Sequence, residues 1–201
     1  MIEEKNIFTI GCSSFDVEFL IRRLRQNKVN VIVDVRSIPY SKHTPQYNAD
    51  VLKNVLKKNK IIYLDFSKEF GARREEKEVY VNNRVNFARV MNLPIFGQGV
   101  ERIKKGLNSG YRMALMCTEK DPEKCHRFSL VARGIEKKAN ICSMHILADG
   151  SVVSKESVEN RLLDSMNIKA DLFDQKTPID KLYERLEKDV AYSINEEDYD
   201  D

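Results

Sequence analysis

Short runs of aliphatic and β-branched residues alternate along this chain with stretches whose apolar positions recur every three or four residues. Continuous apolar runs lie at Lys5 to Gly11, Val29 to Val35, Ile61 to Phe66, the segment ending at Cys117, and Ile141 to Leu147. Strands buried on both faces of a parallel sheet carry runs of this kind. Between them, Val17, Leu20, Ile21 and Leu24 predict one helix and Val51, Leu52, Val55 and Leu56 a second. Pro94 opens a third, with Phe96, Val100, Ile103 and Leu107 on one side and Asn108-Ser109-Gly110 as its stop. Phe128, Val131, Ala132 and Ile135 predict a fourth. Strand and helix patterns in alternation specify a three-layer α/β fold with a mainly parallel, five-stranded, Rossmann-like sheet.

Asp149-Gly150 is a turn signal, and two further helical patterns follow it with no strand between them. Val158, Leu162 and Met166 mark one; Thr177-Pro178 with Asp180 starts the other, which carries Ile179, Leu182, Tyr183, Leu186 and Val190. The expected organisation is an α/β core over 1–150, a helical appendage over 151–195 packed on it, and an acidic tail over 196–201.

The stretch from Tyr111 to Arg127 concentrates the candidate chemistry. Its apolar run ends at Cys117, a charged loop follows, and Asp121-Pro122 has the form of a helix start, an N-cap carboxylate before a proline. In parallel α/β sheets the carboxyl ends of strands and the amino ends of the following helices share one crevice, where ligands bind. With Pro122 as the first helical residue, Cys125 falls at the edge of the sheet-facing side and can turn towards Cys117. Arg127 then lies at the opposite edge and His126 points mostly away.

Charge and cysteine usage narrow the setting. Lysine and arginine number 34 against 31 acids, for a net charge of +3. Five of those acids lie in the last six residues; without that tail the balance is 34 to 26, or +8, which suits a polyanionic partner without requiring one. Cys12, Cys117, Cys125 and Cys142 form no C-x-x-C pair and read as thiols. No apolar run reaches the length of a membrane span, and the glutamates of the first residues fit neither a signal nor a transit peptide. A cytoplasmic protein with no membrane partner is expected.

Bland readings compete with functional ones at each candidate. Ser13 and Asp16 have the form of a capping box, and Arg22, Arg23 and Arg25 read as a solvated face. The loop from Ser37 to Asn48, with Tyr40, His43 and Tyr47, leaves a strand at the functional rim and supplies second-rank candidates. Arg73 and Arg74 are candidate ligand cations, or else part of a salt-bridge cluster with the glutamates after them. Arg127 alternatively pairs with Glu123 four residues earlier. Buried thiols often merely pack; Cys142 reads as core, while His145 sits at the rim end of its strand. Cys12, Cys117, Cys125 and a histidine together can make a metal site, although their spacing lacks the close pairs of zinc motifs.

Several of these segments, in this order, resemble one bacterial family. Thr9-Ile10-Gly11-Cys12-Ser13, Asp34-Val35-Arg36-Ser37 through Pro45-Gln46-Tyr47-Asn48, Ala114-Leu115-Met116-Cys117 through Asp121-Pro122 to Cys125-His126-Arg127, and His145-Ile146-Leu147 are similar to domain-of-unknown-function family 488. Asp171-Leu172-Phe173 and Ala191-Tyr192 extend the resemblance to the final helix. It implies a cytoplasmic α/β protein with signature positions at Asp34, Arg36, Cys117, Glu119, Cys125, His126 and Arg127, and it implies no particular reaction. Where the family pattern reads Thr-Ile-Gly-His-Ser this chain has Cys12, so no histidine base is implied there. A fainter similarity is to rhodanese-like and cysteine-phosphatase domains, but Glu119, Asp121 and Glu123 stand where those domains cradle an anion.

Two functions are expected from different classes. One is a cysteine-dependent transferase or hydrolase acting on a nucleotide, a nucleic-acid base or another small polar substrate. In it Cys117 is the nucleophile with Cys125 beside it, Glu119 or His126 carries protons, and Asp34, Arg36, Arg127 and Cys12 line the substrate site. The other is a nucleotide- or nucleic-acid-binding regulator in which Arg36, Arg127, Arg73, Arg74 and Lys42 contact phosphate. The residues name neither a cofactor nor an oligomeric state.

Overall fold

The computed structural model describes residues 6–170 and 174–194. The first strand, β1 (Ile7–Gly11), leads to α1 (Val17–Gln26), β2 (Val31–Asp34), α2 (Ala49–Lys58) and β3 (Ile62–Asp65). A short helix α3 (Ser67–Phe70) and a hairpin of β4 (Tyr80–Val81) and β5 (Arg84–Val85) follow. Then come α4 (Phe87–Asn92), α5 (Pro94–Asn108) and β6 (Met113–Cys117). The chain continues through α6 (Arg133–Ala139), β7 (Ser143–Ile146), β8 (Val152–Ser154), α7 (Lys155–Ser165) and α8 (Pro178–Val190).

Among the described residues the main sheet has six strands in the order β3-β2-β6-β1-β7-β8. Every pair is parallel except β7 with β8. The three-layer, mainly parallel α/β fold is therefore the one the pattern specified, with one strand more than expected. Val152 to Ser154 is the addition, an antiparallel edge reached by a turn at Gly150, whose φ is +86°. It also corrects the reading of the last two helices, because α7 starts directly from this strand, with Ser154 as its cap.

The two faces of the sheet are filled separately. Leu20, Ile21 and Leu24 of α1 and Leu52 and Leu56 of α2 pack on one face with Phe8, Ile32 and Met116. Phe96, Val100 and Ile103 of α5 and Ile135 of α6 pack on the other with Val33 and Leu115. Chain leaving β1 and β2 thus turns to one face, and chain leaving β6 turns to the other. Their adjacent carboxyl ends form a topological switch point, where a crevice opens.

Two local expectations need correction. Ser13 does not cap α1: it has a φ of +49°, and Asp16 stands at the N-cap without a side-chain bond. Arg23 is not solvated. It follows Leu20 by three residues, so it shares the sheet-facing side, where it is buried, lies over the Phe19 ring and donates to the Gly11 carbonyl at 3.0 Å.

Phe128 joins the core to the last two helices. It packs with Val158, Leu162, Leu182, Tyr183 and Leu186, and its ring stacks on Tyr183 at 5.8 Å. No helix among the described residues is long and apolar enough to cross a membrane. The acidic tail and Asp171-Leu172-Phe173 lie outside the described residues.

Candidate active site

The carboxyl end of β6 delivers Cys117 to the crevice, and the chain that follows departs from the expected helix. Pro122 to Lys124 make a single 3-10 turn, after which Cys125 is extended, with φ −141° and ψ 140°. Helical geometry resumes at His126, first as a wide π turn over Arg127–Ala132 and then as α6. A helix counted from Pro122 would aim His126 outwards; restarting after an extended Cys125 aims it inwards. Cys117 Sγ and Cys125 Sγ lie 3.7 and 3.9 Å from the same nitrogen, His126 Nδ1. The expectation that His126 points away from Cys117 is thereby overturned.

The other ring nitrogen fixes how the imidazole is used. His126 Nε2 lies 2.9 Å from the Val35 carbonyl oxygen, just past β2. A carbonyl only accepts, so Nε2 carries the proton, and in the neutral ring Nδ1 presents its lone pair to the two sulfurs. A backbone carbonyl holding the far nitrogen is how metal-binding histidines are oriented. The ligand atoms of Cys117, Cys125 and His126 all lie within 4.8 Å of one another.

The two thiols shift in opposite directions. The hydrogen bond to Cys125 and burial push the Cys117 thiol well above its usual range. Burial opposes charge on Cys125 too, but the hydrogen bond from Cys117, the Arg127 guanidinium and His126 outweigh it and favour its thiolate.

Arg127 holds the loop that closes the site. Its guanidinium is buried and donates to the Glu119 and Lys120 carbonyls at 2.7 and 3.1 Å. Glu123, offered as its partner, pairs instead with Arg161. That loop lies directly on β1, where a Cβ added to Gly11 would come within 2.0 Å of the Glu119 oxygen. Arg36 forms the adjoining wall, while Asp34, expected to line the substrate site, is fully buried behind it. The Arg36 side chain gives three bonds to the carboxylate, the shortest 2.5 Å, and another of 2.8 Å to the Tyr47 carbonyl. Burial works against the Arg36 charge, and the Asp34 carboxylate more than restores it.

These groups floor a cleft of about 490 Å³. Arg36, Cys117, Glu119, Cys125 and His126 line it, and Arg73 and Lys124 reach it as well. Tyr40 and Tyr192 stand at its sides. Arg73 lies over the Tyr192 ring at 5.0 Å. Tyr192 is held there by the β4-β5 hairpin, since its carbonyl accepts from the Val85 N–H at 2.9 Å and the Ile194 N–H donates to Asn83. Arg74 instead turns away into a half-buried two-bond pair with Glu76.

Besides Asp34, Arg74 and Arg127, which do not line this cleft, Cys12, His145 and Cys142 also fall outside it. Cys12 packs with Ile10 and Met116 on the opposite face of the sheet from Cys117, and burial pushes its thiol up to about 11. His145 is fully buried, 2.8 Å from Thr9 Oγ1, with burial and the Arg127 charge bringing its pKa down to about 3. Cys142, expected in the core, is exposed, because it precedes β7 and only Ile141 and Ser143 on either side turn inwards. Sequence reasoning did not single out Lys124 or Ile38, whose only signal was membership of loops leaving the rim; Tyr192 was signalled by the family resemblance alone.

Comparison with known proteins gives one match. The family model described as Domain of unknown function DUF488 matches residues 16–133, a span that includes β2, Arg73, Cys117, Cys125 and His126. No curated protein and no solved structure matches the chain.

Proposed function

Because the chain belongs to the DUF488 family, whose name carries no activity, we propose from the site itself that it is a zinc-dependent hydrolase or transferase of a small anionic substrate. Cys117, Cys125 and His126 are the metal ligands in this reading. The observation that carries it is the convergence of two sulfurs and an oriented imidazole nitrogen beneath an open cleft.

The distances suit the ion. Zinc to sulfur is about 2.3 Å and zinc to nitrogen about 2.0 Å, so a tetrahedral site separates sulfur from nitrogen by about 3.5 Å. The separations of 3.7 and 3.9 Å need only a small contraction. Thiolate and imidazole donors favour zinc over calcium or magnesium, which take oxygen ligands. Two thiolates would neutralise the ion; the Arg127 charge helps hold Cys125 as thiolate and partly offsets the rise of the Cys117 thiol.

Three protein ligands would leave a fourth position open, and a bound zinc would supply there a water of lowered pKa. Glu119, on the cleft wall, would accept the proton of that water as it attacks the substrate and return it to the departing group. Arg73 and Lys124 hold the substrate's charge.

Cobalt(II) titration tests the reading. Bound cobalt is expected to give the intense visible bands of a tetrahedral thiolate site. Cys117→Ser, Cys125→Ser and His126→Ala are expected to lose metal affinity by more than the roughly 10–100-fold that an outer-shell change costs, while Cys12→Ser retains it. Spectra unchanged by the ligand substitutions would overturn the assignment. Absence of a thiolate spectrum, with Cys117 or Cys125 labelling faster than Cys142, would favour the cysteine-nucleophile reading.

A further inference from the structure

The cleft above the candidate metal site has two unlike halves, and their combination specifies a ligand. Its charged half contains Arg73 and Lys124. The Arg73 guanidinium lies over the Tyr192 ring, and among the described residues neither it nor the Lys124 ammonium makes an ion pair. The remaining charges on the walls are Glu119 and Arg36, the latter already committed to Asp34. Two uncommitted cations against one carboxylate make this half an anion subsite. Arg73 also lines a neighbouring cleft of about 380 Å³ with Lys68 and Ser67, where Glu75 and the Arg74-paired Glu76 supply the acids.

The other half is aromatic and apolar. Tyr40 and Ile38 leave 62% and 58% of their surfaces in solvent, among the most exposed large apolar residues described. Both lie in the segment after β2 and both border the cleft. An isolated exposed apolar residue needs no explanation, but two flanking the mouth of a polar cleft form a platform for a flat ring. Stacking on such a side chain favours any nucleobase, since every base has a π-face. The cleft's volume, about 490 Å³, falls within the roughly 300–1,000 Å³ of small-molecule sites.

We infer that the ligand is a mononucleotide, its base stacked on Tyr40 and its phosphate held between Arg73 and Lys124. This rests on the zinc reading only for which end of the ligand reacts; base and phosphate recognition come from residues that are not metal ligands. A free sugar phosphate supplies the anion without the ring, and a nucleoside supplies the ring without the anion.

Calorimetric titration of the zinc-loaded protein with adenosine and cytidine 5′-monophosphates, the matching nucleosides, ribose 5-phosphate and inorganic phosphate tests the inference. At least one mononucleotide is expected to bind 10-fold or more tighter than its nucleoside and than ribose 5-phosphate. Tyr40→Ala should erase the advantage over ribose 5-phosphate, and Arg73→Ala or Lys124→Ala the advantage over the nucleoside, with zinc content unchanged in all three variants. Ribose 5-phosphate binding as tightly as the nucleotides would overturn the inference in favour of a plain anion site, and so would failure of every nucleotide to bind. Zinc measured in the same samples separates the two readings: zinc bound without nucleotide sinks this inference alone, and nucleotide bound without zinc sinks the metal reading alone.

Discussion

Single residues set the site's tolerance to change. Gly11 has no room for a side chain because the Glu119 carbonyl packs against its Cα. Gly11→Ala is therefore expected to cost about 2–3 kcal/mol of overpacking and to weaken metal binding by displacing the loop behind Cys117, as denaturant unfolding and metal titration would measure. His145 carries a different prediction. Its pKa is about 3 in the folded protein, against about 6.5 unfolded, so below pH 6.5 the unfolded chain binds a proton that the folded one refuses. Stability is thus lost as pH falls from 6.5 towards 3. Between pH 7 and pH 5 this residue should account for roughly 2 kcal/mol of lost stability, read as the difference in pH dependence between the wild type and His145→Gln. The sequence singled out Cys117, Cys125, His126 and Arg36 by type and position. It did not reveal that Arg127 staples a loop through backbone carbonyls, since those acceptors exist only once the loop has closed.

At the level of elements, the legible features were those with long periodic patterns. Pro94–Asn108 was readable at both ends, with Gly110 at φ +82° just beyond it. Asp121-Pro122 misled because a proline at the first helical position also starts a single 3-10 turn, and the five residues to His126 hold too little pattern to separate the two. The extended Cys125 between turn and helix is what swings His126 onto the sulfurs. Strand register has a consequence of its own: Gly11 pairs with Cys117, and Cys12 and Cys117 pack on opposite faces of the sheet. Thiol counting in the native protein should accordingly find Cys142 reactive and Cys12 silent. Chelation of metal should add two thiols, and denaturation the last. Release of Cys12 together with Cys117 and Cys125 on chelation would contradict this arrangement.

For the whole molecule, pattern and charge predicted the class of fold but missed its smallest parts. Three residues of β8 and the two-residue strands of the hairpin are too short to carry an alternation, although the hairpin is what brings Tyr192 to the cleft. Net charge separates the catalytic reading from the nucleic-acid regulator. Without residues 196–201 the chain carries 34 basic against 26 acidic residues, so a regulator should bind single-stranded nucleic acid better once they are deleted, with affinity falling steeply as salt rises. A small-substrate enzyme should bind its ligand in the cleft with little response to that deletion, because the deciding charges there are Arg73 and Lys124. Fluorescence anisotropy over a salt series, with and without the last six residues, distinguishes them.

Cys117, Cys125 and His126 are proposed to hold a metal ion with one position open. X-ray absorption at the zinc edge on protein purified without added chelator tests it most directly. One zinc per chain is expected, with two sulfur neighbours at about 2.3 Å and two nitrogen or oxygen neighbours at about 2.0 Å, the sulfur signal halving in Cys117→Ser. A first shell without sulfur, or protein that retains no zinc, would contradict it.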